Sequence, residues 1–355
     1  MREPKVKTVA VDINPATRAV LTGTEVYTRE VCSRLAAAAP ELSWRFYASR
    51  PGAGLGVDVM VLPFRRLWSQ VRLPIALASR RPDLLFVPAH VIPLGWPGKA
   101  LTVVHDLAFE RYPHAYSQAE RAYLRLTTRW ATMRCPLLIT ISESTKADLV
   151  SAYGVRPERI RVVPLGASTP TVAPAPVSRL AELGLNGHFV LQVGRIETRK
   201  NQVAALAAVE RLAGVTLAVA GPERDPAIAA KLRESDRCRV LGRVDQPTLE
   251  LLYKRADAVV VPSLYEGFGL PLLEAMARGK VVVAAKASSL PEVGGEAALY
   301  FHDAADPEQL ARVLEVALGD EPLRKSLAKA ARERARKFTW DRCATGVAEV
   351  IRELV

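Results

Sequence analysis

The stretch Tyr265-Glu266-Gly267-Phe268-Gly269-Leu270-Pro271-Leu272-Leu273-Glu274-Ala275 decides how the rest of the chain is read. It follows an apolar run, Ala258–Val261, that reads as a buried strand. Pro271 suits the first turn of a helix, where its missing N–H costs nothing. The pattern is therefore strand, loop, helix, with Glu266 on the loop and Glu274 inside the helix. Backbone amides at such a helix start, with glycines permitting close approach, make an anion site. A carboxylate on each side accepts hydrogen bonds from hydroxyls. A phosphorylated sugar suits this combination.

The same alternation extends in both directions. Val6–Ile13, Leu84–Val87, Leu101–His105 and Leu137–Ile141 read as strands, with helices over Glu25–Ala39 and Ser117–Met133. A charge-free segment with four prolines, Pro164–Val177, reads as a linker. Strands then resume at Phe189–Val193, Val215–Ala220, Arg239–Leu241, Ala258–Val261 and Val281–Ala285, and the tail from Pro307 to Val355 reads as helical. Strand–helix alternation predicts an α/β chain of doubly wound parallel sheets. The expected division is a first domain over 1–172 and a second over 173–339, with a helix over about 340–355 returning to the first. The 355 residues suit two domains.

Composition narrows the class. No run reaches the roughly 18–20 apolar residues of a membrane span. The start, from Met1, leads into a strand without the apolar stretch of a signal peptide. Cys32, Cys135, Cys238 and Cys343 lack metal or redox spacing, so they read as structural thiols of a reducing cytoplasm. The net charge of +12 is uneven: residues 1–172 hold 23 Lys and Arg against 13 Asp and Glu, and residues 173–355 hold 26 against 24. A basic first half suits an anionic partner such as a lipid surface, a lipid pyrophosphate or a nucleic acid, or it serves solubility. No aromatic-rich basic motif supports nucleic acid.

Four further segments carry chemistry. Gly194-Arg195-Ile196-Glu197-Thr198-Arg199-Lys200-Asn201 follows a strand and opens a helix. Arg195 and Lys200 can converge there on a diphosphate, with Arg199 facing outward. His105, at a strand end, can donate to a sugar hydroxyl or to developing charge. The loop Asn14–Glu25 carries Gly23 before a helix start, with Thr24 as N-cap. In Ile141-Ser142-Glu143-Ser144, either serine can cap the next helix. Separately, Phe64, Leu67, Trp68, Val71, Ile75 and Ala78 share one face of a helical wheel, away from Arg65, Arg72 and Arg80. That pattern fits a core-facing stripe or a helix lying on a membrane surface.

Glu266 to Glu274 resembles the E-x7-E motif of the retaining glycosyltransferases of the GT4 family, and Gly194 to Lys200 resembles that family's G-R-x4-K element. The segment from Pro88 and His90 through His105-Asp106-Leu107 to Pro113 resembles a subgroup rich in mannosyltransferases. The resemblance implies a GT-B fold, two Rossmann-like domains facing a central cleft, with the first domain taking the acceptor and the second the donor. It implies catalytic roles for His105, Arg195, Lys200 and Glu266. It implies donor contacts from Gly23, Gly194, Arg195, Lys200, Glu266, Gly267, Phe268, Gly269, Leu270 and Glu274, the last on the ribose. His90 is a candidate for the acceptor pocket. The family's usual Gly-Gly pair in the first loop is reduced here to Gly23.

The implied reaction moves a hexose, with GDP-mannose the best-fitting donor, from a nucleotide diphosphate sugar to a hydroxyl of a glycan or lipid-linked acceptor. The α configuration is retained, and the departing phosphate oxygen takes the proton. UDP-glucose, UDP-N-acetylglucosamine and dTDP-sugars stay open as donors. No cofactor or metal is expected, because there is no Asp-x-Asp triplet and no ligand-spaced cluster. The expected setting is the cytoplasm, with contact to the inner membrane face through the basic first domain and no nucleic-acid partner. The alternatives are a GT-B-like isomerase or phosphorylase, or a non-catalytic sugar-nucleotide binding protein.

Overall fold

The computed structural model describes residues 6–18, 22–52, 54–64, 67–168 and 172–355. The chain divides into two compact units, Met1–Gly166 with Phe338–Val355, and Ala167–Lys337. These divisions fall a few residues before those expected at 172 and 339.

The first unit holds β1 (Thr8–Asp12), β2 (Ser43–Ala48), β3 (Val59–Val61), β4 (Leu84–Val87), β5 (Ala100–Val104), β6 (Leu138–Thr140) and β7 (Ile160–Val162). They form a sheet in the order β3-β2-β1-β4-β5-β6-β7, and each pairing is parallel. The second unit holds β8 (His188–Val193), β9 (Val215–Ala220), β10 (Cys238–Gly242), β11 (Ala258–Val261), β12 (Val282–Ala285) and β13 (Leu299–Phe301). Their order is β10-β9-β8-β11-β12-β13, again parallel. Strands such as Ala-Val-Val-Val and Val-Val-Ala-Ala are buried on both faces because helices cover both sides of a parallel sheet. In each sheet the strand order reverses beside the first strand. That reversal opens a crevice at the carboxyl ends of β1 and β4, and another at those of β8 and β11.

The last helix, Trp340–Arg352, packs against the helix Gly23–Ala38 within the first unit. Trp340, Cys343, Ala344, Val347, Ala348 and Ile351 form a buried stripe with three- and four-residue spacing, and Val350 is buried beside it. Full burial of a side chain such as Ile351 contributes roughly 1.5–3 kcal/mol. Exposed pairs such as Arg34–Asp341 at 2.9 Å and Arg352–Glu41 at 2.7 Å lie in water and contribute little beside this burial. Thr339 caps this helix by accepting from the Arg342 N–H.

Several local expectations are corrected. The first long helix begins at Gly23 with Thr22 as its N-cap, so Thr24 lies in the first turn. The carboxylate of Glu25 accepts from the Thr22 N–H at 3.0 Å and from its hydroxyl, closing a capping box. Leu21, in the same loop, lies outside the described residues, as do Arg65 and linker residues 169–171. Ser142, and not Ser144, caps the helix Glu143–Tyr153. Phe64–Arg81 is not one helix: a π-helical turn over Trp68–Arg72 runs into a short α-helix over Leu73–Ala78. That helix buries Leu73 and Leu77, which the wheel did not favour, and of the wheel's face only Trp68 is buried. All four cysteines are buried thiols, and burial pushes Cys135, Cys238 and Cys343 up to about 12. Among the described residues no helix is long and apolar enough to cross a membrane.

Gly166 fixes the passage where the chain leaves the first unit beside the point where it re-enters. A methyl there would overlap the backbone nitrogen of Trp340 and stand 2.6 Å from its Cγ. Gly166→Val should therefore destabilise the first unit by roughly 1–3 kcal/mol, read as a lowered urea midpoint. An unchanged midpoint would show that the returning helix is not held there.

Candidate active site

The crevice of the second sheet is built from two loops that leave adjacent strands. One follows β8 and runs from Gly194 through a single 3₁₀ turn, Thr198–Lys200, into the helix Gln202–Val209. The other follows β11 and runs from Pro262 into the helix Leu270–Ala277. Asn201 sits in the left-handed region, φ 56°, and its amide donates to the carbonyls of Pro262 and Ala304 at 3.1 and 2.7 Å. The Leu264 N–H donates to the Arg199 carbonyl at 2.8 Å. The two loops are thereby pinned to each other.

Charge concentrates where they meet. The Lys200 ammonium donates to Glu266 Oε1 at 2.5 Å, and Ser263 Oγ donates to the same oxygen at 2.7 Å. Both charged side chains are buried. Burial works against ionisation of Glu266, but Lys200 and Arg199 overcome it and hold the carboxyl below its usual range. Burial likewise draws the Lys200 ammonium down, and Glu266 opposes that. Arg199, expected to face outward, is instead enclosed. Its Nε pairs with Glu197 at 2.8 Å, its Nη1 lies 3.5 Å from Glu266, and the same nitrogen donates to the Tyr265 carbonyl at 3.2 Å. The reason is that the loop after β11 wraps back over the 3₁₀ turn and presents acceptors on Arg199's side.

Arg195 is half-buried and makes no ion pair among the described residues. The Gln202 amide, which donates to the Arg195 carbonyl at 2.7 Å, fixes its backbone. The N–H groups of Arg224 and Asp225 fix the neighbouring Ile196 carbonyl. A side chain at Gly221 would overlap the Gly194 carbonyl oxygen, so that pair of glycines lets the loops after β8 and β9 touch. Cations thus outnumber carboxylates, with Arg195, Arg199 and Lys200 beside Glu197 and Glu266.

At the start of the helix Leu270–Ala277, Tyr265 and Phe268 are buried, so their side chains support the loop from beneath. Gly269 takes φ +96°, and a Cβ there would stand 2.7 Å from Leu290 Cδ2. One turn on, Glu274 accepts from the Tyr253 hydroxyl at 3.1 Å. Burial raises the Glu274 carboxyl above its usual range, although Arg278 and Tyr253 oppose the shift. Arg278 itself forms a bidentate pair with Glu250, at 2.8 and 2.5 Å, and lies 4.6 Å over the Tyr253 ring.

In the first unit, His105 follows β5 at the carboxyl edge of the sheet. Its Nε2 donates to the Pro88 carbonyl at 2.7 Å, and its ring meets Tyr27 edge-on at 4.8 Å. Burial lowers its pKa, so the ring is neutral near pH 7 with its proton on Nε2. Its Nδ1 makes no hydrogen bond among the described residues and is left as an acceptor. The sequence reading cast this ring as a donor; a donor role for Nδ1 would require the charged ring that burial disfavours. His90 takes φ 70°, lies 2.6 Å from the Thr128 hydroxyl, and is drawn down to about 4 by burial. Asp12, at the end of β1, accepts from Asn14 and Ser69 and is raised to about 6 by burial. Gly23 opens its helix above this edge of the chain's first strand–helix unit.

The structure thus brings Lys200 and Glu266 into direct contact and keeps Arg195 on the same loop. Glu274 stands on the adjoining helix, while His105 and Gly23 belong to the other unit. Sequence reasoning missed Glu197, Tyr253, Glu250, Arg278 and Asp12. Only Asp12 carried a local signal, a carboxylate ending an apolar strand at a sheet edge.

Comparison with known proteins agrees with this architecture. Residues 21–169 match the family described as Glycosyltransferase Family 4, and residues 181–334 match Glycosyl transferases group 1. O-antigen chain mannosyltransferase B of Escherichia coli is 30% identical over 262 residues, spanning 70% of this chain and 68% of that one. A D-inositol 3-phosphate glycosyltransferase of Salinispora arenicola is 34% identical over 245 residues, spanning 61% of this chain and 55% of that one. The chain therefore spans between about half and two thirds of the length of these relatives. The crystal structure of Anabaena Alr3699/HepE in complex with UDP-glucose superposes with a TM-score of 0.75 at 19% identity, covering 98% of this chain and 99% of that one. The two α/β units with parallel sheets are those of the GT-B fold, and the chain belongs to the family 4 glycosyltransferases.

Proposed function

We propose that this glycosyltransferase transfers mannose from GDP-mannose to a hydroxyl of a glycan or lipid-linked acceptor. Transfer retains the α configuration and needs no metal. The observation that carries this reading is the cation-rich cluster of Arg195, Arg199 and Lys200 at the reversal of the second sheet. Mannose is supported by the name of the E. coli relative. The cytoplasmic setting is supported by the four unpaired, buried thiols.

Each residue then has a physical task. As the glycosidic bond breaks, negative charge grows on the diphosphate. Arg195 and Lys200 are fixed cations that stabilise it without reorganising, which is the work a divalent ion would otherwise do. Glu266 holds Lys200 in place until a phosphate competes for the ammonium, and is then free to accept from a sugar hydroxyl. The amides around Phe268, Gly269 and Leu270, with Gly267 before them, meet sugar hydroxyls or phosphate. Glu274, oriented by Tyr253, takes the ribose hydroxyls. Neutral His105 accepts a hydroxyl hydrogen bond through Nδ1. The departing phosphate oxygen takes the acceptor's proton, and the reacting groups are kept from water.

Arg195→Ala should lower kcat by on the order of 10²-fold with little change in Tm, since the guanidinium makes no ion pair among the described residues. Lys200→Ala should lower kcat similarly and also lower Tm, because the buried Glu266 keeps only Ser263 and the more distant Arg199 as partners. Near-full activity of either variant with a verified donor contradicts the assignment.

Glu274 must be ionised to accept two hydroxyl hydrogen bonds. Its raised pKa means that protonation begins at a higher pH than for an ordinary glutamate. Donor affinity should therefore weaken as pH falls through that raised value, and Glu274→Gln should be weaker at high pH and flat with pH. Titrating GDP binding against pH measures this, and identical pH profiles for the two proteins would refute the ribose role.

Transfer should also survive EDTA and rank GDP-mannose first among GDP-, UDP- and dTDP-sugars. Product formed without acceptor would indicate an isomerase. A different preferred donor would correct the sugar while leaving the cluster's role intact.

A further inference from the structure

Three consecutive residues after β12 hold the loop that carries Glu266. β12 lies beside β11 in the sheet, so the loops at their carboxyl ends are neighbours. The Glu266 N–H donates to Ser288 Oγ at 2.8 Å, and Ser289 Oγ donates to the Glu266 carbonyl at 2.9 Å. The next residue, Leu290, is buried, and its Cδ2 is the atom that a Cβ at Gly269 would meet. Both main-chain polar groups of Glu266 are thus satisfied by side chains, where a strand or helix would supply backbone partners. Lys200 and Ser263 hold the carboxylate itself. The grip on the main chain therefore decides where that carboxylate leaves the loop.

Ser288 is strained. Its φ is 46°, in the left-handed region, where a side chain is disfavoured and glycine is at ease. Five described residues other than glycine have positive φ, and two of them, Asn201 and Ser288, stand on loops of this one crevice. Asparagine tolerates the region better than most residues, and serine does not share that preference. The shape of the turn alone would be met more easily by glycine. What serine has and glycine lacks is the hydroxyl that accepts from Glu266. Strain of this kind persists where the surroundings over-determine it, and it gathers at functional sites. Here the two hydroxyl bonds and the buried Leu290 supply that over-determination.

We propose that Ser288 is a positioning residue for Glu266: its hydroxyl, presented by a left-handed backbone, sets the direction in which the Glu266 carboxylate leaves its loop. The inference rests on the proposed contact between Glu266 and the donor sugar. It does not depend on which sugar that is.

Three substitutions separate the hydroxyl from the backbone. Ser288→Gly relieves the strain and removes the hydroxyl, Ser288→Ala keeps the strain and removes the hydroxyl, and Ser288→Thr adds strain and keeps the hydroxyl. Rates are read as nucleoside diphosphate released from whichever of GDP-mannose, UDP-glucose, UDP-N-acetylglucosamine and dTDP-glucose the parent chain hydrolyses fastest. For Ser288→Gly and Ser288→Ala alike, kcat should fall about ten-fold. For Ser288→Thr it should stay near that of the parent. Tm should run the other way, with Ser288→Gly at or above Ser288→Ala and Ser288→Thr lowest. Calorimetric affinity for the same nucleoside diphosphate should hold throughout, because Arg195 and Lys200 stay in place. Rates that follow Tm, Ser288→Gly as fast as the parent, or nucleotide affinity lost in step with rate overturns the inference. If Ser288→Thr does not fold, the other two still decide: equal loss of rate at unequal Tm supports the inference, and rates ranked with Tm overturn it. Glu266→Gln separates the two levels. Parent-like activity there refutes the sugar contact and the inference with it, whereas an inactive Glu266→Gln beside a fully active Ser288→Gly refutes the inference alone.

Discussion

The buried pair of Lys200 and Glu266 is the constraint on which the second unit's site depends. Neither charge could lie there alone: an unpaired buried ion costs several kcal/mol. Their 2.5 Å contact ties the loop after β8 to the loop after β11 across the reversal of strand order. Asn201 and Leu264 reinforce the tie through backbone carbonyls. The same contact stores function. On the proposed reading, the carboxylate that neutralises the ammonium in the free protein holds the place of an anionic ligand, and Arg195 on the same loop makes no ion pair among the described residues.

The two sheets share one winding but differ in what their carboxyl edges carry. The second edge is cationic, with carboxylates held in check by lysine and arginine. The first carries a neutral histidine, a second histidine drawn down to about 4 and an aspartate raised to about 6. Burial dominates the titration of the first edge, so it presents weakly charged hydrogen-bonding groups suited to hydroxyls. Paired charge dominates the second, so it suits phosphate. This chemical contrast is consistent with the division between acceptor and donor that the family resemblance implies.

Much of this was legible in the sequence where signals are local. Ala258–Val261 and Val215–Ala220 are continuous apolar runs and were read to the residue. β2 was not anticipated, because Arg45 interrupts it and only its second half is buried. β3, β7 and β13 are three residues each, too short for a periodic pattern. Glu266 and Glu274 could be found from spacing, but two partners of Arg199, Tyr265 and Glu266, lie 66 and 67 positions away and only the fold brings them together. Glu250, Tyr253 and Arg278 escaped for the same reason, since their pairing links separate helices. The wheel drawn on Phe64–Arg81 assumed one continuous α-helix, and the segment is not one. A π-helical turn shifts the register there, so Leu73 and Leu77 enter the core instead.

The account stands or falls on whether the cluster after β8 recognises a diphosphate. Calorimetric titration of GDP and GMP against the parent chain and Arg195→Ala measures this directly. GDP should bind at least ten-fold more tightly than GMP, and that gap should shrink towards unity in the variant. Equal affinity for the two nucleotides in the parent chain, or a gap that Arg195→Ala leaves intact, would contradict it.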